Sequence, residues 1–237
     1  MIIIVIIIYW ILSIANAHSW LHCIDYDQNA PLTIGRISSN YCRARPRGIP
    51  ITAIFGEDNG YNYQPIGGVA CGAQFNGRDI VQMSTGMTYR FLWPAKNHVQ
   101  CTTPIVDVSL RLYFYPVSSL NNADPSFSRW VQSQNLFFDF KQSGKGFQNC
   151  PSACPETDRV PCFGDVRIPM SVNPGFYKAI WVWNFNPNEF YTHCMDLEIL
   201  SSSTPTTRPP TPRPTTRPPT PRPTTRPPTP RPTIKLN

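Results

Sequence analysis

The chain has 237 residues, 27 of them proline and 8 cysteine, and a formal net charge of +7. Seven of its 21 basic residues (Arg208, Arg213, Arg217, Arg222, Arg226, Arg231 and Lys235) lie beyond residue 200, where no acid occurs, so residues 18–200 carry 14 basic against 14 acidic side chains. The body is neutral and the excess charge belongs to the tail, so the overall basicity gives no support to a nucleic-acid partner.

Residues 1–17, MIIIVIIIYWILSIANA, form an apolar run that ends in Ala15-Asn16-Ala17, a small-x-small cleavage pattern. A membrane span needs roughly 20 apolar residues, and Ser13 and Asn16 interrupt this shorter run. The segment is expected to be a secretory signal peptide, which predicts a secreted, extracellular protein with no membrane partner and gives no sign of an oligomer. Cleavage after Ala17 makes His18 the mature N-terminus. Such a residue offers one metal two nitrogens, its free α-amine and its ring Nδ1. The amine has a reference pKa of about 7.7–8.0, so its deprotonation costs little near neutrality. One further imidazole completes three nitrogens in a T, an arrangement suited to copper(II).

Only four histidines occur, His18, His22, His98 and His193; the further imidazole is expected from His98, with His22 as its competitor. In extended chain His22 stands about 13 Å from His18, too far for one metal, and is read as a partly exposed sheet histidine beside Cys23. Eight cysteines (23, 42, 71, 101, 150, 154, 162 and 194) behind a signal peptide predict disulfides. Cys150 and Cys154 resemble a zinc half-site, but no matching second pair follows. The pairing is open.

Further along, the periodicity is two. Thr88–Trp93 is the first β-rich run, and it leads into Pro94-Ala95-Lys96-Asn97-His98, a turn that Cys101 can pin and that sets His98 on a constrained loop. In Val108–Tyr115, Val108, Leu110, Leu112 and Phe114 alternate with Ser109, Arg111, Tyr113 and Tyr115. Leu136–Phe140 alternates likewise, residues 141–175 read as a long loop stapled by Cys150, Cys154 and Cys162, and Phe176–Phe185 and Tyr191–Leu200 are further strands. On that last strand Glu189, Tyr191 and His193 project from one face. No window carries a helical period. The expected fold is an all-β, immunoglobulin-like antiparallel β-sandwich spanning residues 18–200. From Ser201 the chain becomes low-complexity, with TTRPPTPRP three times at 206–214, 215–223 and 224–232. That tail buries no core and favours extended polyproline II, either as a passive stalk or as a line of cations for a polyanion.

The start His18-Ser19-Trp20-Leu21-His22-Cys23 and the segment Glu189-Phe190-Tyr191 followed by Cys194 resemble the lytic polysaccharide monooxygenases. The likeness is greatest to the pectin-active family described from plant-pathogenic oomycetes, which has an HSW-type start, a cysteine-rich domain of this length and a low-complexity tail. The resemblance implies one copper ion held by the His18 amine and ring and by His98, with Tyr191 axial and Glu189 beside it. It also implies an external electron donor with O2 or H2O2, and a polysaccharide substrate: pectin (homogalacturonan), or else cellulose or chitin. Two other readings stand beside it: a non-catalytic secreted copper-binding protein of the same fold, and a wall-binding module using aromatics such as Trp20, Trp130 and Tyr113. A glycoside hydrolase needs two carboxylates about 5–10 Å apart, and no pair here has such a setting.

Overall fold

The computed structural model describes residues 19–33, 37–57, 63–74, 77, 79–96, 108–141, 150 and 159–202. The expected signal peptide and tail, with His18, His98, Cys101 and Cys154, lie outside the described residues. Seven strands occur among those described: β1 (Ile80–Ser84), β2 (Thr88–Pro94), β3 (Ser109–Val117), β4 (Leu136–Asp139), β5 (Pro161–Arg167), β6 (Gly175–Asn186) and β7 (Glu189–Leu200). They form a five-stranded sheet in the order β1-β7-β6-β3-β4 and a two-stranded sheet of β2 with β5. Among these pairs β1 and β7 run parallel and the rest antiparallel. The result is the expected all-β sandwich.

The inner faces supply one core. Phe91 and Trp93 of β2 and Val166 of β5 meet Leu110, Leu112 and Phe114 of β3, Ala179, Trp181 and Trp183 of β6, and Met195 and Leu197 of β7. The period-two pattern of β3 therefore reads correctly for Leu110, Leu112 and Phe114, whereas Val108 precedes the strand and is exposed. Strand β6 is flanked on both sides and buries both faces, since Ile180 and Val182 enter a second cluster with Tyr113, Cys71, Cys194 and Trp130. Trp130 reaches it from a single helical turn, α1 (Phe127–Trp130). Trp20, Trp130 and Tyr113 are all buried, so none of the three serves as a surface aromatic.

The expected loop 141–175 is corrected over Pro161–Arg167, which is strand β5, paired along its length with β2. Gly164 hides the alternation there, and packing explains it: a Cβ on Gly164 would lie 2.4 Å from the Phe140 ring. Phe140 fills that space and meets Trp93 edge-on at 5.1 Å. Three disulfides join described residues: Cys23–Cys42, Cys71–Cys194 and Cys150–Cys162. The described residues all fall within one unit, Met1–Ser202, and Ser203–Asn237 forms another. No described helix is long and apolar enough to cross a membrane.

On the outer side of the large sheet, Arg47 donates from Nε and Nη2 to the Asp196 carboxylate and from Nη1 to Asp124 at 2.7 Å. Lys178 Nζ lies 3.0 Å from Asp124 and 3.4 Å from Asp196. Two cations thus face two anions, with Arg47, Lys178 and Asp196 buried. Burial alone would raise the Asp124 carboxyl, but Arg47 and Lys178 hold it below the usual range. Asp196→Asn leaves two buried cations facing one anion, and we expect it to cost about 3–5 kcal/mol in denaturant unfolding. A loss under about 1 kcal/mol, the value of an exposed pair, would show that the cluster is not the clamp described.

Candidate functional site

The β6–β7 hairpin builds the described part of the site. Its link is Pro187-Asn188, with Asn188 in the left-handed region (φ 66°) that asparagine tolerates better than most residues. So tight a turn sets Asn186 beside Glu189, and Asn186 Nδ2 donates to Glu189 Oε2 at 2.7 Å. From the next position on the same face, Tyr191 Oη donates to Glu189 Oε1 at 2.9 Å. Both carboxylate oxygens are thus held by donors. The Tyr191 ring is buried and packs 5.1 Å from Trp183. Burial first, and then the Glu189 carboxylate, push the Tyr191 phenol above its ordinary range, so at neutral pH it presents a neutral O–H. The outer side of the hairpin is anchored where Thr192 bonds Tyr63 O and Ala70 O, next to the Cys71–Cys194 disulfide.

Ser19, Trp20 and Leu21 meet three parts of the fold. Ser19 Oγ donates to Pro94 O at 2.6 Å, at the end of β2. The Trp20 ring lies under the Lys96 ammonium at 4.9 Å. Leu21 O accepts from His193 Nδ1 of β7 at 2.8 Å. The residue that follows His18 in sequence is thereby tied to the segment that leads in sequence to His98, and its neighbours reach the strand that carries Tyr191.

The structure brings Glu189 and Tyr191 together, as the alternation predicts; His18 and His98 fall outside the described residues. His22 departs from expectation, because it is buried and not part of a strand. Its Nε2 meets Arg45 Nη1 at 2.6 Å and its ring edge meets Phe55. An arginine can only donate, so Nε2 accepts and the ring proton sits on Nδ1. Burial, then Arg45 and His193, hold His22 down at about 3. His193 is lowered to about 4 by burial, against the pull of the Leu21 carbonyl. One ring nitrogen of each histidine is thus held, and among the described residues no three His, Cys, Asp or Glu side chains converge as a metal site. Sequence reading missed Asn186, whose only signal is its position three residues before Glu189 across a Pro-Asn turn.

No protein-family model matches the chain, and no curated protein matches it. Among solved structures it is similar to an AA10 lytic polysaccharide monooxygenase from Streptomyces lividans, with 17% identity over 65% of this chain and 80% of that one, at a TM-score of 0.36. It is also similar to entomopoxvirus fusolin, a protein studied for virulence enhancement and crystallization into viral spindles, with 14% identity over 57% of this chain and 41% of that one, at a TM-score of 0.28.

The buried histidines give a pH signature. His22 titrates at about 3 folded against about 6.5 unfolded, so below about pH 6.5 the unfolded chain takes a proton that the folded ring refuses. Stability is full above that pH and falls with acid by up to about 1.4 kcal/mol per pH unit for each such ring. His22→Gln should reduce the loss between pH 7 and pH 5, leaving the share of His193. Denaturant midpoints that shift equally in both proteins would contradict the assignment.

Proposed function

We propose that the protein is a secreted, copper-dependent lytic polysaccharide monooxygenase. The His18 amine and ring and the His98 ring would hold one copper ion, with Tyr191 and Glu189 beside it. The observation that carries the reading is the run of contacts made by Ser19, Trp20 and Leu21 to Pro94, Lys96 and His193. It joins the three segments on which the sequence alone put the candidate ligands, and the three lie far apart along the chain. The burial of His22 and His193 and their contacts with Arg45 and the Leu21 carbonyl support the choice of His18 and His98 as ligands.

The donor set fits copper. Two imidazoles and an amine would give neutral nitrogen ligation, and the buried, neutral phenol of Tyr191 would be at most a weak further donor. Bound copper, with O2 or H2O2 and an external electron donor, supplies the oxidation of a C–H bond at a glycosidic link. The chain supplies the rest. Asn186 fixes the Glu189 carboxylate and Tyr191 donates its hydroxyl to it; that carboxylate would orient an oxygen species or pass a proton. Trp183 supports the Tyr191 ring from below. The substrate class is plant cell-wall polysaccharide, with pectin favoured on the likeness of the sequence to the pectin-active family. A wall-binding module built on Trp20, Trp130 and Tyr113 has less support, since all three are buried.

Two experiments test the reading. Protein processed to begin at His18 should bind copper(II) tightly by calorimetry; a form retaining Ala17 should lose that binding, and His98→Ala should weaken it severely. Equal affinity with and without Ala17 would sink the proposal. With copper and a reductant, mass spectrometry should find oxidised oligosaccharides from pectin, with cellulose and chitin as the comparison polymers. Tyr191→Phe should keep the copper and alter its EPR spectrum, whereas Glu189→Gln should bind copper and lose turnover. An unchanged rate in the Glu189 variant would remove its assigned role.

A further inference from the structure

The end of the β2 exit is organised around a lysine. Lys96 has φ 51°, a left-handed conformation that a long side chain seldom adopts, and only 7% of the residue is exposed. Its Nζ donates to Gly56 O at 2.8 Å and stands 4.9 Å from the centroid of the Trp20 ring. Trp20 in turn packs on Ile49 and Ala53, so one ammonium joins the β2 exit, the N-terminal segment and the 49–57 loop. An aliphatic side chain could fill the same space. What lysine adds is a charge directed at one carbonyl and one ring face. Backbone in a sparsely populated region persists where its surroundings over-determine it, and here the surroundings are those two contacts.

The numbering is symmetrical: Trp20 stands two residues after His18 and Lys96 two residues before His98. From this juxtaposition we infer that Lys96 is a positioning residue, clamping the Trp20 segment to the β2 exit so that the two histidine-bearing stretches meet a metal in a single geometry. The inference rests on the copper reading above. It assigns Lys96 no contact with metal or substrate.

The test uses the full processed chain and copper(II) alone. Lys96→Met keeps the length of the stem and loses the ammonium; Lys96→Arg keeps a charge. Lys96→Met should unfold cooperatively, bind copper about 10–100-fold more weakly, as loss of a residue supporting metal ligands does, and give an EPR spectrum of more than one copper species. Lys96→Arg should recover part of the affinity and the single spectrum. His22→Gln, which perturbs a different buried contact, should change the melting point without changing the spectrum. Unchanged affinity and spectrum in Lys96→Met would overturn the inference while leaving the copper reading intact, whereas a wild-type chain that binds no copper would overturn both. Should Lys96→Met fail to fold, Lys96→Gln keeps a donor for Gly56 without the charge: weaker copper binding supports the clamp, and unchanged binding overturns it.

Discussion

The structure depends on residues 19–26 being laid against the edge of β2, which they meet through backbone hydrogen bonds and an isolated bridge at Cys23. Leu92 N donates to Cys23 O at 2.9 Å, His22 N to Leu92 O at 2.9 Å and Tyr26 N to Arg90 O at 3.0 Å, which extends the small sheet beyond β2. On the other side Ile24 N bonds Ala44 O and Arg43 N bonds Asp25 O, and the Cys23–Cys42 disulfide joins the same two stretches. Each backbone bond contributes only about 1 kcal/mol net, but a buried partner left unmade costs more. Segment, β2 and residues 43–45 therefore stand or fall together.

The large sheet meets a different constraint, because β7 must satisfy two unlike faces. Inward, Tyr191, Met195, Leu197 and Ile199 enter the main core. Outward, Thr192 binds two loop carbonyls, Cys194 takes the disulfide and Asp196 takes two cations. A slip of one residue would exchange these sets and bury Glu198 in place of Leu197. The buried ions and the disulfide are thus register devices as well as stabilisers. The same register determines that Tyr191 Oη, and not Phe190, meets the Glu189 carboxylate.

What could be read from the sequence follows from where the physics is local. Strands β3 and β7 alternate, β6 shows as a run dense in aromatic and branched residues because both its faces are buried, and the Glu189/Tyr191 face follows from period two alone. Strand β5 was hidden because Gly164 serves a distant ring, Phe140, and β1 because five residues show little period before β7 pairs with them. The burial of Trp20 and Trp130 is tertiary as well; the latter rides on one helical turn, too short for a periodic signal. His22 looked half-exposed beside Cys23 because nothing near it in sequence announces Arg45 or Phe55. Lys96 was unreadable for a further reason: a left-handed backbone at a non-glycine position has no sequence signature when its cause is a contact with Gly56 and Trp20.

Electrostatics divide the work between body and tail. Within the described body, cations are met by anions: Arg43 by Asp25 and Asp27, Arg90 by Asp165, Arg111 by Asp139, Arg159 by Glu57, and Arg47 and Lys178 by Asp124 and Asp196. Paired charges have weak far fields, and salt at physiological strength screens what remains within about 8 Å. A polyanion such as homogalacturonan would feel little attraction to such a surface before contact. The three repeats carry six arginines and no acid, so any long-range pull has to originate there. The excess positive charge of the sequence therefore lies in the repeats, while the ion pairs of the described body largely cancel one another at a distance.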